Sequence, residues 1–261
     1  MFAILVFTLW SANPAYFIAL AAIAIFLGMH EFYSLAARVG LHCERWLAFG
    51  AGAAILVGFA YAQFGLIIAA LVVVTILSLI LALSRPAEFE SSLASTAATV
   101  FGVVYVPLLM GFAVAIKLTD HQQNRQGSKL LGFVFLVVIA SDVGAYFTGR
   151  AIGKHKLAPN ISPGKTVEGG IGGLVLGMVG AIISKTLFFA EIQWSHLLVL
   201  SVIVVVIGVF GDLCESMLKR GAKAKDAASI IPGHGGILDR LDSLLFNAPL
   251  IYYYYVLFLK S

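Results

Sequence analysis

The chain of 261 residues is 61% hydrophobic and has only 30 charged side chains (17 Lys and Arg, 13 Asp and Glu), where an ordinary soluble domain has roughly a quarter of its residues charged. That excludes a water-soluble globule, and equally a disordered tail, a coiled coil or a nucleic-acid-binding surface, each of which needs dense polar or basic side chains. The net charge of +4 reflects instead the excess of Lys and Arg that membrane proteins keep in their cytoplasmic loops.

A helix needs about 20 mostly apolar residues to cross a hydrocarbon core about 30 Å thick. Met1 to Trp10 is apolar but too short to cross alone, and it lacks the basic start of a cleaved signal peptide. It reads as a short first span that ends in the turn Ser11-Ala12-Asn13-Pro14. Eight clearer spans follow, at about 15–29, 46–62, 65–84, 93–117, 130–148, 168–189, 196–213 and 243–259. The expected class is therefore all-α, a polytopic integral membrane protein of about nine helices. N-terminal membrane helices occupy 1–129, and a C-terminal catalytic region over 130–261 carries cytoplasmic loops at 149–167 and 214–242.

Orientation follows from the bases. Arg38, Arg45, Arg85, Arg150, Lys154, Lys156, Lys165, Lys219, Arg220, Lys223, Lys225 and Arg240 fall on one side of the alternating spans. Lys117, Arg125, Lys129, Lys185 and Lys260 fall on the other, so the first side is the cytoplasmic one and the C-terminus lies outside. Cys43 and Cys214 form no CxxC pair and read as small apolar fillers. Gly169, Gly173 and Gly177 recur every four residues along one helix face, a pattern that lets another helix approach closely. The run Gly169-Gly170-Ile171-Gly172-Gly173 follows no strand, so it is not a dinucleotide loop.

The charges are unevenly placed. Six lie between Asp142 and Glu168 and ten between Asp212 and Asp242, so two short stretches hold 16 of the 30. In the second stretch Asp212 and Glu215 are three residues apart, as are Asp239 and Asp242, so each pair shares a helix face. Four carboxylates at one membrane boundary call for a hard divalent cation such as Mg2+. Lys219, Arg220, Lys223 and Lys225 between them are donors of the kind that hold phosphates. The segment Pro232-Gly233-His234-Gly235-Gly236 offers backbone N–H groups that an anion can approach, with His234 as a phosphate donor, a general acid or a plain loop residue. A basic loop and an i,i+4 Glu215–Lys219 pair also arise from topology alone. Carboxylates buried at a helix end in a membrane do not, since they are costly and are kept for function.

In the first stretch Asp142 lies near the end of a span, and Ser162-Pro163-Gly164-Lys165-Thr166-Val167-Glu168 leads into the next. Gly164-Lys165-Thr166 ends like a P-loop, but the glycine that pattern requires is replaced by Pro159. What remains is a Lys and a Thr at a helix N-terminus, a place suited to phosphate, with Glu168 available to a metal or to Lys165.

From Ser216 to Asp242, the order Ser, Lys-Arg, Lys-Asp and then Pro-x-His-Gly-Gly-x-x-Asp-Arg-x-Asp resembles the signature of the phosphatidate cytidylyltransferase (CDP-diacylglycerol synthase) family. The stretches 142–154 and 162–169 resemble further blocks of it. The resemblance implies a transferase of the bacterial inner membrane that faces the cytoplasm and makes CDP-diacylglycerol and pyrophosphate from CTP and phosphatidate. It also implies a requirement for Mg2+ and leaves open a second cation and a homodimer. By position in the motif, Asp212 and Asp239 become metal ligands, with Glu215, Asp242, Asp142 and Glu168 as further candidates. Lys165, Lys219, Arg220, Lys225 and Arg240 hold phosphates. Ser162, Thr166, Ser216 and His234 donate hydrogen bonds, and Gly235 and Gly236 line the substrate. Rival readings are another CTP-using lipid-phosphate enzyme, such as a polyprenol kinase, and a transporter of an anionic solute.

Overall fold

The computed structural model describes residues 2–85, 89–120, 124–224 and 236–259. In chain order the helices are α1 Phe2–Trp10, α2 Ala15–Arg38, α3 Arg45–Ala60, α4 Phe64–Leu83, α5 Phe89–Val103 and α6 Leu109–Lys117. They continue as α7 Gln126–Ile152, α8 Val167–Leu187, α9 Trp194–Gly221 and α10 Leu238–Tyr254. A π-helical turn at Val104–Leu108 joins α5 to α6 in one continuous run, Phe89–Lys117. Pro107 sits in that turn. Proline lacks an N–H and its ring crowds the carbonyl four residues back, so a widened turn keeps the run unbroken.

Six of the described helices are long and apolar enough to cross a membrane: Ala15–Arg38, Phe64–Leu83, Phe89–Lys117, Gln126–Ile152, Val167–Leu187 and Trp194–Gly221. Arg45–Ala60 is apolar but has 16 residues, about 24 Å of helix at about 1.5 Å per residue. The chain is thus an all-α integral membrane protein. Several helices outrun their apolar stretches at the charged end: α2 reaches Arg38, α7 reaches Ile152 and α9 reaches Gly221. Hydropathy marks where lipid ends, whereas backbone hydrogen bonding carries a helix on into the polar zone.

One departure from the expected all-helical pattern is a short hairpin. β1 Lys156–Ala158 pairs antiparallel with β2 Ser162–Thr166, in the register Lys156 to Thr166 and Ala158 to Ser162. Pro159-Asn160 supplies the turn between them.

The described chain forms two compact units. The first comprises 1–118 with 218–241 and the second 119–217 with 242–261. In the first unit, Phe17, Ile25, Met29, Tyr33, Ile55, Phe59, Val106 and Ile116 make up the core. The Tyr33 hydroxyl donates to the Thr99 carbonyl at 2.8 Å, and Arg45 Nη2 donates to the Tyr33 carbonyl at 3.1 Å. Lys117, counted from sequence among the bases at the non-cytoplasmic face, is 1% exposed. Its ammonium donates to the carbonyls of Leu9 at 2.8 Å and Ser11 at 3.1 Å, satisfying groups that the end of α1 leaves open.

In the second unit, α7 and α8 pack so closely that glycine is required. A Cβ on Gly144 would lie 2.5 Å from the Gly172 carbonyl oxygen, and one on Gly173 would lie 3.1 Å from that of Ser141. The glycine repeat of α8 therefore faces α7 as the spacing implies. The opposite face of α8 exposes Ile171, Val175, Ile182 and Ile183, which suits contact with lipid tails.

Candidate active site

A cavity of about 510 Å3 opens in the second unit. Its lining has two characters. Val138 of α7 and Val204, Val205 and Val209 of α9 make up an apolar group. Ser141, Asp142 and Tyr146 of α7, Ser162, Lys165 and Thr166 of β2, Asp212 of α9 and Ser243 of α10 form a polar one. The hairpin is what brings Lys165 there. It carries the chain away from the end of α7 and back, so that Lys165 and Asp212 meet with Nζ 2.6 Å from Oδ2. Ser216, one turn on along α9, donates to Asp212 Oδ1 at 3.3 Å.

Asp142, Asp212 and Asp242 lie close enough to repel one another, and Asp142 and Asp242 also feel the charge of Lys165. Gly211 explains part of this convergence. A Cβ there would stand 2.5 Å from the Asp242 carbonyl oxygen, so glycine lets the backbones of α9 and α10 touch beside the two acids. Three acidic side chains thus stand against one ammonium. Among the described residues no three His, Cys, Asp or Glu side chains stand in metal-ligating geometry. The chemistry of the donor set, hard carboxylate oxygens, nonetheless suits Mg2+.

Thr166 and Glu168 serve the frame of the site. The Thr166 hydroxyl caps α8 by accepting from Gly169 N at 3.1 Å. Glu168 accepts from Lys154 N at 3.1 Å and from His155 N at 3.2 Å, and contacts His155 Nδ1 at 2.6 Å, tying the start of the hairpin to α8. The sequence offers Glu168 to a metal or to Lys165, and these bonds are the contacts it makes in the structure. Glu215, one turn beyond Asp212, is 2% exposed.

The remaining expected residues divide differently. In the first unit, Lys219 pairs with Asp239 through Oδ1, and Gly236 N donates to Asp239 Oδ2 at 3.1 Å. Arg220 and Arg240 are exposed. Lys225, His234 and Gly235 lie outside the described residues. Sequence reasoning passed over Ser141 and Ser243 in the cavity wall, although each adjoins an aspartate that it singled out. It also passed over Glu31, whose two oxygens accept from Ile237 N and Leu238 N, each at 2.9 Å.

Helices long and apolar enough to span a bilayer, around a cavity lined by both valines and charged side chains, define an integral membrane protein with a polar site among its helices. Residues 1–258 match the model of the Cytidylyltransferase family, and the chain belongs to that family. It is similar to the phosphatidate cytidylyltransferase of Haemophilus influenzae, with 50% identity over 133 residues covering 49% of this chain and 46% of that one. It is also similar to the enzymes of the same name from Bacillus subtilis (41% over 155 residues, 59% and 56% of the two chains) and Mycobacterium bovis (40% over 156 residues, 60% and 49%). The chain spans about half the length of the curated relatives it matches.

Proposed function

We propose that this protein transfers a cytidylyl group from CTP to phosphatidate, giving CDP-diacylglycerol and pyrophosphate. The observation that carries the reading is the cavity whose lining combines Val138, Val204, Val205 and Val209 with Asp142, Lys165 and Asp212. A diacyl lipid phosphate needs such a mixed lining, since its chains stay in hydrocarbon while its head must meet a water-borne nucleotide. The excess of bases on the loops that bear these residues supports a cytoplasmic site, where CTP is found.

In the reaction, a phosphate oxygen of phosphatidate forms a bond to the α-phosphorus of CTP. The bond from that phosphorus to the bridging oxygen breaks, and pyrophosphate leaves with the electron pair. The attacking oxygen is already anionic at neutral pH, so no side chain has to remove a proton. The protein's task is to bring two polyanions together and stabilise the charge that shifts toward the leaving group. Lys165, held by Asp212 in the cavity lining, is placed to hold a phosphate, with Ser162 and Ser216 as hydrogen-bond donors. Lys219, Arg220, Lys225 and Arg240 are assigned to phosphates, and His234 to a donor role. Asp212 would hold Mg2+ together with phosphate oxygens of the substrates, with Asp239, Asp142 and Asp242 as further acidic candidates. When bound, the ion offsets phosphate charge and polarises the α-phosphoryl group.

The test uses purified protein in detergent with CTP, Mg2+ and phosphatidate. Stoichiometric release of pyrophosphate and CDP-lipid is expected. Folded protein that forms no CDP-lipid refutes the assignment.

A further inference from the structure

Glu31 is a carboxylate with 0% exposure in the last third of α2, among otherwise apolar neighbours. A buried acid in a membrane helix is costly unless its oxygens are satisfied. Here they are, by the backbone at the start of α10: Ile237 N donates to Oε1 and Leu238 N to Oε2, both at 2.9 Å. Ile237 also provides the carbonyl that receives the first helical bonds of α10, from Arg240 N at 3.0 Å and Leu241 N at 3.1 Å. Glu31 thus occupies the place of an N-cap supplied from 206 residues away in sequence, its negative charge set against the positive end of the helix. Gly28, one turn earlier on the same face, completes the seat. A Cβ there would lie 3.4 Å from Leu238 Cδ2 and 3.2 Å from Val106 Cγ1, so larger side chains would displace the turn.

The residue that follows this turn is Asp239, which takes Gly236 N at 3.1 Å and pairs with Lys219. The bonds from Glu31 to the turn and from Gly236 and Lys219 to Asp239 thus converge on the position of one carboxylate. We propose that Glu31 is a positioning residue, which with Gly28 seats the first turn of α10 and so fixes Asp239 against Lys219 for phosphoryl chemistry. This rests on the cytidylyl transfer proposed above. A carboxylate is needed because both acceptors are used. Glutamine of the same shape offers one acceptor, and turns an N–H group toward the second backbone N–H.

The experiment compares Glu31→Gln and Gly28→Val with wild type in the full-length protein. It measures kcat and KM for CTP per folded molecule, together with hydrogen exchange in the peptide 236–241. Small misplacements of a reacting group cost about 10²-fold in rate. Both variants should accordingly lose about 10²-fold in kcat while KM for CTP stays within about twofold. Exchange at Ile237 and Leu238 should rise in both. Wild-type kcat in Glu31→Gln, or a fall in activity matched by loss of folded protein with unchanged exchange, overturns the proposal. If wild type itself makes no CDP-lipid, the reaction assignment fails separately. Exchange still decides the seat in that case: faster exchange in Glu31→Gln supports it and equal exchange refutes it.

Discussion

Replacing Asp212 with Asn separates the two things its carboxylate could be doing. Asn keeps the shape and one acceptor, enough for either Lys165 or Ser216, but removes the charge. The Lys165–Asp212 pair is part exposed, with side chains 25% and 38% accessible, so its worth to folding is about 0–1 kcal/mol. Removing the charge also relieves repulsion from Asp142 and Asp242, which offsets some of that small loss. The folded protein should therefore survive, with a melting temperature near that of wild type. Catalysis should not. Two unit charges about 4 Å apart attract by about 4 kcal/mol at an effective dielectric constant of about 20, which sets the scale for removing a carboxylate that would face a cation whose charge is partly offset by phosphate. At about 1.4 kcal/mol per decade, its loss predicts a fall of about 10³-fold in kcat/KM. The assay is formation of CDP-lipid at saturating Mg2+, normalised to folded protein, with a thermal melt in the same detergent. Activity within about threefold of wild type, or a fall that only tracks loss of folded protein, would refute the assignment of Asp212 to the reacting centre.

Two further outcomes test the frame. Gly144→Leu puts a side chain where a Cβ already meets the Gly172 carbonyl oxygen at 2.5 Å, so α7 and α8 must part; a loss of about 1–3 kcal/mol in stability is expected by thermal or denaturant unfolding. A variant as stable as wild type would show that the helices are not in contact there. Thr166→Ala removes the cap of α8 and should cost about 1 kcal/mol while leaving measurable activity. Complete inactivation of a folded Thr166→Ala protein would instead make that hydroxyl a substrate ligand.

Much of the helical frame was legible in the sequence because lipid enforces long apolar runs, and the acids Asp142 and Asp212 stood out because charge inside such runs is costly. What escaped depends on partners distant in the chain. Lys117 sits where the base count placed it, at a helix end, yet whether it meets water or the carbonyls of Leu9 and Ser11 is decided by how α1 packs. Glu31 follows the end of an apolar run and looks like the first residue of a polar loop; only the fold brings it to Ile237 and Leu238. The hairpin at 156–166 escaped because two short polar strands carry no hydrophobic alternation, leaving Pro159-Asn160 as its one local sign. Asp212 and Asp242 stand with Asp142, while Asp239 is paired with Lys219 in the other unit.

The central claim is that the α-phosphoryl group of CTP, with its cytidine, moves to the lipid. Purified protein incubated with phosphatidate, Mg2+ and CTP labelled at either the α- or the γ-phosphorus tests it directly. The account predicts that α-label enters the lipid fraction as CDP-diacylglycerol while γ-label leaves as pyrophosphate. Label entering the lipid from the γ-position would mark a kinase, and lipid unlabelled from either position would contradict the account outright.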